Sequence, residues 1–190
     1  MDIKGEILIR EILETERLIL EPIRKEHAQK LFNGYCDKKI YEYIESDVPE
    51  SIAWLEEEFS ILEKGEWTNK KGKHLVFFDW AVYSKIEMEY IGRSEFTIYD
   101  DRSCNVAYVF FSDYWRRGYA FEAMNKSLNY VKDLNLVNKF IIECDSLNVA
   151  SIKIAQKLNF DYVETKFEAT QLKNRNGHDH VFEKNVERPS

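Results

Sequence analysis

The chain has 190 residues, 44% of them hydrophobic and 14% aromatic, a length that suits one domain and enough apolar material to fill a core. A formal net charge of −7 and an isoelectric point near 5.3 argue against a general nucleic-acid binder, which needs a basic face, and suit a cationic or amine-bearing partner. No apolar run nears the roughly 20 residues of a membrane span, and Met1–Arg10 lacks the apolar centre and cleavage site of a signal peptide, so a cytoplasmic protein with no membrane or nucleic-acid partner is expected.

Cys36, Cys104 and Cys144 are well separated, show no metal spacing, and are expected to be reduced and mostly buried. In chain order, residues 6–13 read as an extra strand or an ordered lead-in, 17–23 as a strand, and 25–33 as a helix stopped at Asn33-Gly34. A short helix is expected over 37–44. Pro49 then begins a longer one, with Ile52, Leu55, Phe59 and Leu62 on one stripe and Gly65 behind it. Residues 67–73 read as a polar loop. Residues 74–83, 89–99 and 105–111 read as a meander of antiparallel strands. A helix over 120–135, a buried strand over 139–144 and a helix to Leu158 follow, and strands over 162–169 and 178–186 close as a hairpin. The aromatics Trp54, Trp67, Phe77, Phe78, Trp80 and Tyr83 are expected mostly in the core. No repeat or linker divides the chain, so one α/β (mixed α+β) domain over 1–190 is expected, with a frayed tail at 187–190.

The most informative stretch is Tyr114-Trp115-Arg116-Arg117-Gly118-Tyr119-Ala120-Phe121-Glu122-Ala123. It follows an alternating strand and opens a helix whose Phe121, Met124, Leu128 and Val131 share a face. A strand, a tight glycine turn and a helix N-terminus point unpaired N–H groups at one spot with the helix dipole behind them, which suits a phosphate. Gly118 lets the backbone come close, and Arg116 and Arg117 add positive charge. Ordinary turn chemistry is the alternative, since strand, glycine and helix often follow one another.

Downstream stand Asn148-Val149-Ala150-Ser151 and, at the end of the same helix, Leu158-Asn159-Phe160. Together with Glu14-Thr15-Glu16-Arg17-Leu18-Ile19-Leu20-Glu21-Pro22-Ile23 near the start and the 114–123 stretch, this order resembles the GNAT superfamily of acetyl-CoA-dependent N-acetyltransferases, and within it the RimJ/RimL group. Fainter likeness runs through Ile91-Gly92, Ala107-Tyr108 and 177–183, so that about 14–186 is covered. The resemblance implies the acyl-CoA N-acyltransferase fold, a central, mostly antiparallel mixed sheet flanked by helices. It implies acetyl-CoA as cosubstrate, its pyrophosphate over Arg116, Arg117, Gly118, Tyr119 and Ala120. The backbone of Val109, Phe110 and Phe111 would pair with the pantetheine amides, an N–H near Val109 would polarise the thioester carbonyl, and Asn148 and Ser151 would stand beside the pantetheine arm and the sulfur.

Two departures matter. Relatives often place Tyr seven residues after the Asn to protonate the leaving thiolate, whereas this chain has Ala155, which leaves Ser151 or a water for that role. Asn159 stands where relatives carry Gly, and Asn tolerates the left-handed backbone that the position needs. Helix capping is the alternative role for Asn148 and Ser151. Glu95 and Glu168 are the candidate bases. His178 and His180 alternate on a strand but have no third ligand in spacing, so no metal is expected.

The expected reaction is direct attack of a primary amine on the thioester, the acceptor being a protein N-terminus or a small-molecule amine. The alternatives are a small-molecule acetyltransferase specifically (for an aminoglycoside, polyamine or amino-acid analogue), a CoA-binding regulator without turnover, and another nucleotide-binding module. The absent G-x-x-x-x-G-K-[ST] and G-x-G-x-x-G motifs count against the last. A homodimer is compatible with the sequence, which does not specify one.

Overall fold

The computed structural model describes residues 10–68 and 72–187. Its spine is one long antiparallel ladder, β4 (His74–Ser84) against β5 (Glu89–Tyr99). Both strands are buried on alternate residues and β4 is buried on both faces over 78–82, because helices cover the sheet from both sides. β5 turns into β6 (Ser103–Phe110), completing the expected meander.

The whole sheet has the order β1-β2-β4-β5-β6-β7-β9-β8, with β3 beside β4. Here β1 is Leu13–Glu14, β2 Leu18–Pro22, β3 Glu66–Thr68, β7 Lys139–Asp145, β8 Asp161–Leu172 and β9 Arg175–Asn185. Among the described residues every pairing is antiparallel except β6 with β7. Helices α1 (His27–Tyr35) and α2 (Ile52–Lys64) pack with Ile23, Ala81 and Phe111 on one side. Helices α3 (Tyr119–Asp133) and α4 (Val149–Lys157) pack on the other, over the larger core built on Phe78, Trp80, Phe96 and Phe140. Fully buried Trp80 also donates its indole N–H to the Glu11 carbonyl at 2.9 Å. Truncating so large a core side chain costs about 3–5 kcal/mol.

Local chemistry sets the helix ends. The Ser51 hydroxyl accepts from Trp54 N at 3.1 Å and starts α2 two residues after Pro49, and left-handed Gly65 (φ 80°) stops it. After α4, Asn159 takes φ 60°, as expected for an Asn in the place of a Gly.

Several expectations change. Residues 37–44 hold only a 3-10 turn, Lys38–Tyr41, capped by Asp37. The expected loop at 67–73 begins inside β3, which pairs with β4; residues 69–71 lie outside the described part. Of the expected lead-in over 6–13, positions 6–9 also lie outside it, and Leu13 belongs to the two-residue β1. The closing hairpin is longer than expected at both strands. Trp54 and Trp67 are not core but 40% and 44% exposed, because α2 and the edge strand β3 turn them outward. Cys36 is exposed, since it follows α1 on the outside of the sheet, whereas Cys104 is buried and Cys144 half-buried.

Candidate active site

The decisive feature of the sheet lies between β6 and β7. Their parallel pairing covers only Ser103 with Lys139, Cys104 with Phe140 and Asn105 with Ile141. β6 then runs on to Phe110 against β5 alone, and β7 runs on to Asp145 against β9. A wedge therefore opens in the middle of the sheet, lined on the β6 side by backbone that no strand pairs.

The register says which groups face the wedge. Phe111 N–H donates to Ile91 O at 3.0 Å, so Phe111 turns toward β5. Successive residues of an antiparallel ladder point their polar backbone groups to opposite sides. Val109, opposite Arg93, therefore also faces β5, while Tyr108 and Phe110 face the wedge. Of the expected trio Val109, Phe110 and Phe111, only Phe110 presents its backbone to the opening, and its carbonyl already accepts the Trp115 indole N–H at 2.6 Å. Tyr108, not singled out for the site in the sequence, takes the place expected of Val109. Gly92 lets β6 lie this close to β5, because a Cβ there would stand 2.2 Å from the Val109 carbonyl.

At the end of β6 comes the glycine turn. Arg116 (φ 62°) and Gly118 (φ 81°) are both left-handed, and such alternation gathers backbone N–H groups into an anion-binding concavity. The Gly118 carbonyl receives Glu122 N–H at 3.1 Å. The N–H groups of Tyr119, Ala120 and Phe121 precede that bond and have no acceptor within the helix.

The turn is held from outside by the first strand block. The Arg17 guanidinium meets the Glu122 carboxylate at 2.5 and 2.7 Å and donates to the Arg117 carbonyl at 3.0 Å. Thr15 Oγ1 donates to the other Glu122 oxygen at 2.5 Å, and Arg17 N–H does so at 3.1 Å. Burial alone would raise the Glu122 pKa, but these donors outweigh it and hold the carboxyl below its ordinary value. The Arg117 side chain pairs with Glu87 at 2.8 Å, so a carboxylate holds it already, whereas Arg116 is exposed. A groove of about 520 Å³ runs from Gly118 along α3, with Arg17, Lys126 and Lys157 among its lining residues.

Across the wedge, the Asn148 side chain caps α4 by accepting Ser151 N–H at 3.1 Å. Capping is thus done by Asn148, and the Ser151 hydroxyl is left for other work. It stands against the Tyr108 hydroxyl on the α3/α4 side of the sheet.

The α1/α2 side carries charge. Arg93 pairs with Glu95 at 2.7 Å, Asp79 stands directly opposite Glu95 on β4, and Tyr35 of α1 lies over them. Burial pushes the Asp79 pKa up to about 8, against the pull of Arg93 and Arg10, and burial also raises Glu58 of α2. Farther along, Arg175 binds the fully buried Asp145 carboxylate at 2.5 Å, and Lys173 meets Asp47 at 2.7 Å, so the hairpin tip reaches the 37–50 segment. Glu168 is exposed at a bulge of β8, four strand positions from Glu95 in the sheet, or about 19 Å at ordinary strand spacing. The structure does not bring these two candidate bases together; Glu95 is the one beside β6. His178 and His180 spend their Nδ1 atoms within the hairpin, on Glu168 N–H and the Thr165 hydroxyl.

The family described as an acetyltransferase (GNAT) domain matches residues 17–161. The chain belongs to the GNAT acetyltransferase family. GNAT enzymes are acetyltransferases that use acetyl-CoA. An uncharacterized N-acetyltransferase of Bacillus subtilis, YoaA, is 27% identical over 123 residues, which cover 63% of this chain and 65% of that protein, so the chain spans slightly less than two thirds of that relative. The fold is similar to that of a ribosomal-protein-S5-alanine acetyltransferase from Vibrio fischeri, with a TM-score of 0.79 at 14% identity, covering 94% of this chain and 100% of the other. It is also similar to RimL, a ribosomal L7/L12 α-N-protein acetyltransferase solved with coenzyme A, with a TM-score of 0.77 at 13% identity, covering 93% and 98%. The expected GNAT fold and RimJ/RimL likeness are thus both found.

Proposed function

We propose that this GNAT domain moves the acetyl group of acetyl-CoA to a primary amine that reaches the wedge from the α1/α2 side. The observation that carries this reading is the separation of β6 from β7 directly beside the Arg116–Gly118 turn. The turn and the start of α3 would hold the pyrophosphate by backbone N–H groups, and the groove along α3 would take the nucleotide end. Tyr108 and Phe110 would pair with the pantetheine arm, Asn148 would fix the start of α4, and Ser151 would face the sulfur.

The amine attacks the thioester carbon directly. A C–N bond forms, the C–S bond breaks, and one proton passes from nitrogen to solvent or base as sulfur gains one. Glu95 would take the amine proton, on a face that also carries Glu58 and Asp145. Cys144 does not compete as a nucleophile, because burial pushes its thiol up to about 12. The similarity to RimL, an α-N-protein acetyltransferase, makes an α-amino group the first acceptor class to test.

The experiment is release of CoA thiol from acetyl-CoA with an alanine- or serine-starting peptide, a polyamine and an aminoglycoside side by side. Acetylation of the peptide supports an α-amino acceptor; turnover confined to the other two makes it a small-molecule enzyme. Tight acetyl-CoA binding with no turnover on any amine overturns catalysis in favour of a CoA-binding regulator.

A further inference from the structure

The Tyr108 hydroxyl is buried and has no hydrogen-bond partner among the described residues. Such a group costs stability, since it has lost water and has only the Ser151 hydroxyl beside it in return. A Phe at this position would keep the ring's packing against Phe110 without that cost. The hydroxyl is not aimed at random. It comes from the last part of β6, beyond the final pairing with β7, and it faces Ser151 in the first turn of α4. Ser151 has its N–H taken by Asn148 and its hydroxyl unclaimed by capping.

We propose that Tyr108 is a positioning residue of acetyl transfer, donating a hydrogen bond to the Ser151 oxygen so that the Ser151 hydroxyl points its own proton at the leaving CoA sulfur. The inference rests on the reading of the wedge as the acetyl-CoA site. It supplies from strand β6 an aromatic hydroxyl where Ala155 leaves α4 without one.

Burial raises the Tyr108 pKa to about 12, with Ser151 pulling down and Cys144 adding a push. An ordinary thiol titrates near 8.5, so Tyr108 keeps its proton throughout and can donate it in a hydrogen bond, while the Ser151 hydroxyl relays a solvent proton to the sulfur. As C–S breaks, its electron pair stays on sulfur. Sulfur takes the Ser151 proton, Ser151 recovers one from water that carries the proton lost by the amine, and the products are the amide and the CoA thiol. Cys144, which also acts on Tyr108, stays a neutral thiol.

The test uses the full chain with Tyr108→Phe, Ser151→Ala and the double variant. Four readouts are followed: kcat on an acetylated amine, KM for acetyl-CoA, the thermal midpoint, and the pH titration of enzyme-bound CoA thiol by its ultraviolet thiolate absorbance. The expected result for Tyr108→Phe is a kcat lower by about five- to tenfold, the size of one hydrogen bond. KM should stay close to the parent value, the thermal midpoint should be equal or higher, and the bound thiol should titrate at higher pH than in the parent. The double variant should be no slower than Ser151→Ala alone, because Tyr108 works through Ser151.

Unchanged kcat and thiol titration in Tyr108→Phe overturn the proposal, as do losses that multiply in the double variant. A lower thermal midpoint with unchanged thiol titration shows a purely structural tyrosine and also overturns it. If no amine is acetylated, the acceptor reading fails while the thiol titration still decides the role of Tyr108. If the parent does not bind CoA, both readings fall.

Discussion

At the scale of single residues, the turn proposed to hold the pyrophosphate rests on Gly118. Its φ of 81° is one that side-chain-bearing residues adopt at a cost of about 1–2 kcal/mol, and it borders the N–H groups that precede the first bond of α3. Gly118→Val should therefore weaken CoA binding at least tenfold by calorimetry, from strain and from loss of close approach. Arg117→Ala should weaken it much less, since Glu87 already holds that guanidinium. Equal losses in the two variants would mean that side chains, not backbone, hold the phosphates. The tight turn at Gly118 was legible from a glycine standing between a strand and a helix. Tyr108 was not: within 106–111 it is one more large side chain in a strand, and only the point where β7 leaves β6 shows which residues face a ligand. The role of Trp115 was equally hidden, because its bond to the Phe110 carbonyl depends on how the turn folds back.

At the scale of elements, the chain joins its first strand to its third helix through one clamp. Arg17 and Thr15, at the entry to β2, hold Glu122 in the first turn of α3. The sequence showed both blocks but not their bond, since 105 positions separate Arg17 from Glu122. The same limit explains β3: a three-residue strand is visible only once β4 is there to pair with it. Helices with a clear apolar stripe were legible in kind, and caps such as Ser51 then moved their ends by a residue or two. Because the clamp sets the turn, Arg17→Ala should raise KM for acetyl-CoA and lower the thermal midpoint, by about 1–2 kcal/mol for a half-exposed charged pair that has lost one partner. Glu122→Gln adds a sign. The Glu122 pKa is lower folded than unfolded, so its contribution is present above the ordinary Glu value near 4.3 and is lost as pH falls through the folded value. The variant should lack that part of the acid-side loss in thermal midpoint. An acid limb identical to the parent's would remove the clamp from the account of stability.

At the scale of the whole molecule, the sheet separates two environments. Hydroxyls and aromatic rings line the α3/α4 side of the wedge, and carboxylates with a buried guanidinium line the α1/α2 side. Asp79 reports on the second. Arg93 is matched at 2.7 Å by Glu95, so Asp79 is left buried with little compensation, and its pKa rises to about 8. An unfolded Asp titrates near 3.9. Between those values the folded chain holds a proton that the unfolded chain has released, so stability declines as pH rises from about 4 to about 8, and the full penalty is present above that range. Asp79→Asn imitates the protonated side chain. It should leave the thermal midpoint near pH 3 almost unchanged, raise it at pH 8, and flatten the slope between. A slope as steep as the parent's would mean that Asp79 is ionised in the fold and that Arg93 is shared between two carboxylates. The thermal scan of one variant thus tests the charge state of this face.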